Sequence, residues 1–153
     1  MLETPHVAVG AAIALKIPNP LISIPLAFAS HFILDRVPHW NPHFYTETQK
    51  LGKPTRKSTA IAIVDSTLAL AMGTAVALTA LPDWDRVVTI LACCFASVIS
   101  DQLKIPYFFF KRRGDFFEKW TDFERALQME VSFVPGILTQ FIVISTAFLW
   151  MFS

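Results

Sequence analysis

Two stretches decide what this chain can become. Residues 60–81 are 22 positions with one charge, Asp65, and residues 131–152 are 22 positions with none. Coiled at 1.5 Å per residue, each matches the hydrocarbon thickness of a bilayer, about 30 Å, where only a helix satisfies its own backbone polar groups. Composition agrees: 54% of residues are hydrophobic and 16% charged, against about 25% charged in soluble domains. The 153 residues suffice for one domain, and a formal net charge of +1 gives no basic surface for nucleic acid, which is excluded as a partner. Cys93 and Cys94 are adjacent in an apolar run and read as small hydrophobes, not as a disulfide framework. No Lys or Arg precedes the first apolar run, so the opening segment lacks the basic region of a secretory signal and is expected to be retained.

The remaining segments fill in the architecture. Residues 7–15 are rich in Ala and Gly and stop at Pro18-Asn19-Pro20; residues 21–34 resume the apolar pattern up to Pro38. Proline removes a donor and clashes with the preceding turn, so the two runs form a hairpin of short helices. Residues 87–100 are apolar and lead into Tyr107-Phe108-Phe109-Phe110 and Lys111-Arg112-Arg113, the pattern of an interfacial belt with a basic exit. Phe116, Phe117, Trp120, Phe123 and Leu127 alternate with charges, the pattern of an amphipathic helix on the membrane surface. The expected fold is all-α: one integral membrane domain over 1–153, with helices at about 5–17, 20–37, 58–81, 86–110 and 131–152 in the membrane. A sixth, at 115–129, is interfacial.

The loops orient it. Residues 36–57 hold five Lys or Arg and 104–130 hold six, whereas 82–86 hold only Arg86. The positive-inside rule makes the N-terminus and the loops 38–57 and 111–130 cytoplasmic. That topology gathers the ionisable groups. His6 opens the first helix, His31 and Asp35 close the second, Asp65 lies about 10 Å inside the third, and Asp101 ends the fourth. A His and an Asp four residues apart share one helix face, about 6 Å apart along the axis, and can serve one ion. Charges at such depth are costly unless they meet one another, water or a metal. Mixed histidine and carboxylate donors suit zinc, with manganese the alternative. A weak echo, Phe28-Ala29-Ser30 before Asp35 and Phe95-Ala96-Ser97 before Asp101, suggests that these two helices face each other.

Thr4-Pro5-His6 with Gly10, followed by His31-x-x-x-Asp35-x-x-Pro38-His39, resembles the small predicted membrane-bound metal-dependent hydrolases of bacteria and archaea. More distantly, the second string is similar to part of the zinc site of the zinc-dependent phospholipase C fold. The resemblance covers the first 43 residues. It implies a metal-dependent hydrolase in a prokaryotic inner membrane, acting on an ester or phosphoester of a lipid-like substrate at the cytoplasmic face. His6, His31, Asp35 and His39 are then the expected metal ligands, with Asp65 and Asp101 as catalytic carboxylates. Ser100-Asp101-Gln102 lacks the second acidic residue expected of a multi-metal site. The alternative is a non-catalytic membrane protein, a homo-oligomer or a complex subunit without cofactor, whose buried His and Asp groups fix helix packing.

Overall fold

A computed structural model describes residues 1–112 and 114–153; of the basic run after the aromatic belt, Arg113 lies outside the described residues. The chain is helical, with no strand among the described residues. The elements are α1 (Glu3–Lys16), α2 (Pro20–Leu34), α3 (Phe44–Leu51), α4 (Arg56–Leu78), α5 (Trp84–Ala96), α6 (Ile99–Gln102), α7 (Ile105–Phe109), α8 (Asp115–Leu127) and α9 (Phe133–Phe152). Two of them, α4 and α9, are long and apolar enough to cross a bilayer. The pair α5 with Ile99–Phe109, bent by 53°, makes a third candidate. The sequence pattern called for five embedded helices; α1 and α2, with 14 and 15 residues, fall short of that length.

The short α1 is the middle of the bundle. It packs on α2, α4, α5 and α9, and its Val7, Ala8, Ala11, Ala12 and Ala14 are buried in the core. A helix enclosed by protein has no lipid to match, so 14 residues suffice; its small side chains let neighbours approach closely. At Gly10 a Cβ would come within 2.8 Å of the Cys93 carbonyl oxygen and of Ser97 Oγ. The Asn19 side chain accepts the Leu21 N–H at 3.0 Å and Pro20 takes the first turn, which starts α2 in the expected hairpin. Leu21 and Ile33 leave α2 toward the outside at 85% and 68% exposure, as lipid-facing groups do.

Two boundaries differ from expectation. The polar stretch 38–57 contains α3, closed by Gly52 at φ 75° and joined to α4 by Glu47. That carboxylate accepts the Thr55 N–H at 2.7 Å and the Ser58 hydroxyl at 2.7 Å. The expected helix 86–110 is three pieces, because the chain turns at Ser97-Val98 and again at Leu103-Lys104. Such breaks are tolerated at membrane depth where protein covers them. As the sequence echo suggests, α2 packs on α5 and α6.

Candidate metal centre

The site is built around the start of α1. A helix begins with four N–H groups that have no partner of their own, and Leu2 offers no side-chain cap. Other elements supply the acceptors. Asp65 of α4 takes the Glu3 N–H at 2.5 Å and the Thr4 hydroxyl at 2.6 Å. Gln140 of α9 takes the Leu2 N–H at 2.9 Å, and the Met1 amino group ion-pairs with Asp35. Asp65 is thus a cap supplied from a neighbouring helix, and it fixes His6 one turn further along.

His6 is fully buried, and its ring stacks on that of His31 with centroids 4.3 Å apart. The second histidine is aimed by the break in α5–α6. The turn at Ser97 leaves a carbonyl free, and His31 Nδ1–H donates to it at 2.9 Å. With Nδ1 turned to that carbonyl, Nε2 is the ring atom that faces the site. That Nε2 has no hydrogen-bond partner, yet it faces Asp35 Oδ2 at 3.5 Å and Glu124 at 3.7 Å. His6 Nε2 lies 3.4 Å from Asp35 Oδ1, and neither His6 ring nitrogen has a hydrogen-bond partner. Lone pairs and carboxylate oxygens held this close repel unless a proton or a cation lies among them. His6, His31 and Asp101 each bring one ligand atom within 4.8 Å of the others, the one such group among the described residues.

Lys104 of the α6–α7 turn pairs with Asp101 at 2.6 Å and also with Glu124. Glu124, buried in α8, accepts the Ser100 hydroxyl as well. Around the two imidazoles, three carboxylates (Asp35, Asp101, Glu124) face two cations, the Met1 amine and Lys104. The donor set and its excess of negative charge fit a divalent ion of the zinc type.

The expected site residues divide. His6, His31, Asp35 and Asp101 come together, and Asp65 stands behind them as the cap of α1. His39 is buried but does not belong to that group. Its Nδ1–H donates to the Val37 carbonyl at 2.8 Å and its Nε2 accepts from the Asn41 amide at 3.1 Å, so both ring nitrogens are occupied. Burial, aided by the Met1 amine, pushes its pKa down to about 4 and the ring is neutral. His39 instead ties down the end of α8: it exchanges backbone bonds with Met129 and Val131, while the Asp35 carbonyl takes the Met129 N–H at 2.9 Å.

Three contributors were not singled out from sequence. Glu124 lies on a helix whose pattern placed it at the membrane surface, although its i−3 neighbour Thr121 is buried too. Lys104 enters the sequence reading only as one of the six Lys or Arg of residues 104–130. Gln140, the polar residue in the middle of uncharged α9, also donates to the Trp40 carbonyl at 3.0 Å; an amide in a membrane span was the available signal. Comparison of the chain with protein-family profiles, with curated proteins and with solved structures finds no match.

Proposed function

We propose that the protein is a metal-dependent hydrolase of a prokaryotic inner membrane, cleaving an ester or phosphoester of a lipid-like substrate at the cytoplasmic face. One observation carries the reading: His31, its ring oriented by the bond from Nδ1 to Ser97, aims an Nε2 that has no hydrogen-bond partner at two carboxylates beside a second buried histidine. His6, His31 and Asp101 would hold a zinc ion, with Asp35 adjoining. Bound there, a divalent ion acidifies its water and polarises an ester or phosphoryl oxygen. Glu124, hydrogen-bonded to Ser100 and paired with Lys104, is the carboxylate placed to accept a proton. The Lys104 ammonium supplies positive charge where an anionic transition state would develop.

The alternative, a structural cluster, is favoured by the Met1 amine and Lys104, which already neutralise part of the negative charge. Metal analysis of the purified protein separates the two. The hydrolase reading expects about one equivalent of transition metal, falling below about half an equivalent in His31→Ala and His6→Ala variants. Wild-type protein that stays metal-free after incubation with zinc and manganese would sink it.

A further inference from the structure

Beside the metal centre is a cavity of about 750 Å3, in the range of sites that enclose small molecules. Its polar end is bordered by Asp101, Lys104 and Gln128. Another part of it runs between the first turns of α4, at Thr59 and Ile63, and the aromatic face of α7, at Phe108 and Phe109. A second hollow of about 530 Å3 shares those four residues and extends to Lys53 and Arg56, where α4 begins. Since α4 is one of the two helices fit to cross a bilayer, this slot lies at the end of that helix, where a span would meet the lipid headgroups. Its rim residues Ile63 and Phe109 are 62% and 44% exposed, so it opens sideways. A water-soluble substrate gains nothing from such a slot, whereas a hydrocarbon chain loses no contact with its surroundings on entering it.

Arg125 of α8 also lines the cavity. Lys104 is already claimed by two carboxylates, but Arg125 has no carboxylate partner among the described residues, and its guanidinium lies 3.9 Å over the ring of Tyr45. The Tyr45 hydroxyl donates to Asp122 at 3.2 Å, which steadies the ring. A guanidinium fixed on an aromatic face keeps its N–H edge free for a phosphate, which it binds through two parallel hydrogen bonds.

We propose that the substrate is a phosphate-bearing membrane lipid that enters from the side, its hydrocarbon chain between α4 and α7 and its phosphate on Arg125. This deepens the hydrolase reading and rests on it for the bond cleaved, but binding can be tested without cleavage. Full-length protein in nanodiscs of a phosphate-free glycolipid is irradiated with phosphatidic acid carrying a diazirine at the end of one acyl chain. Diacylglycerol bearing the same chain serves as the control. Phosphatidic acid should label α4 and α7 about tenfold more than diacylglycerol does, and Arg125→Gln should remove that advantage. Ile63→Trp, which fills the slot, should abolish labelling of both helices. Equal labelling by the two lipids, or labelling that survives Ile63→Trp, overturns the proposal. Metal content, measured on the same samples, should be the same in both variants as in wild type. Lipid labelling of this pattern on protein that binds no metal would sink the hydrolase and leave the lipid site standing.

Discussion

Asp65 shows how one residue can be found by the right argument and still have several jobs open to it. A lone carboxylate inside an apolar helix had to have a purpose, and depth alone predicts that much. Depth does not distinguish a ligand from a base or a cap, because that depends on which backbone amides another helix brings within reach. Here they are the N–H groups that open α1. Asp65→Ala should therefore lower stability by about 1–2 kcal/mol, as loss of a cap does, while metal bound at saturation stays at the wild-type level. Melting in detergent combined with metal analysis checks this; an unchanged melting point with lost metal would make Asp65 a ligand. His39 gives a second test, in pH. Its folded pKa, about 4, lies below the value of about 6.5 in an unfolded chain, so the unfolded state binds the extra proton. Its contribution is complete above pH 6.5 and declines as pH falls toward 4, by about 3 kcal/mol in all. Asparagine can imitate the bond from Nδ1 to Val37, so His39→Asn should flatten the stability profile in that interval relative to wild type.

At the scale of elements, the helices most legible in the sequence are those long and apolar enough to cross a bilayer. Long apolar runs mark α4 within four residues, and α9 within two, of their observed ends. Elements defined by contact with protein are less legible. The break at Ser97-Val98 follows from no proline or glycine, and its use becomes apparent only when His31 arrives to take the freed carbonyl. The amphipathic pattern of α8 is equally compatible with lying on a membrane or on the end of a bundle. Glu124 chooses the bundle through Ser100 and Lys104. In α9, Gly136 serves close approach. A Cβ at Gly136 would collide with the backbone of His39 and Trp40. Neither backbone can retreat without breaking the bonds to Met129 and Gln140, so Gly136→Ala should cost about 1–3 kcal/mol, the penalty of overpacking. A melting point equal to wild type would mean that the loop over the site is free to shift.

For the whole molecule, charge placement and the candidate site were derived separately and they make a joint claim. If the loops rich in Lys and Arg are cytoplasmic, the metal centre and its cavity open toward the cytoplasm. Cys93 and Cys94 are buried and give little background, so a Lys53→Cys variant can be probed in intact and in opened cells. A membrane-impermeant maleimide should label it only after the cells are opened. Labelling from outside would invert the molecule and put the site on the opposite face.

The pairing that holds the centre together spans much of the chain, from Met1 through Asp35 to Glu124 and Gln140. A ribosome makes those groups in that order, and the delay between the first and the last is a matter of seconds at roughly 5–20 residues per second. For that time α1 has neither the amide of α9 nor the carboxylate of α8, and His6, Asp35 and Asp101 wait in a bundle still open on one side. The ligand set itself is complete once Asp101 is made, but the carboxylate of α8 and the amide of α9 that enclose it come later.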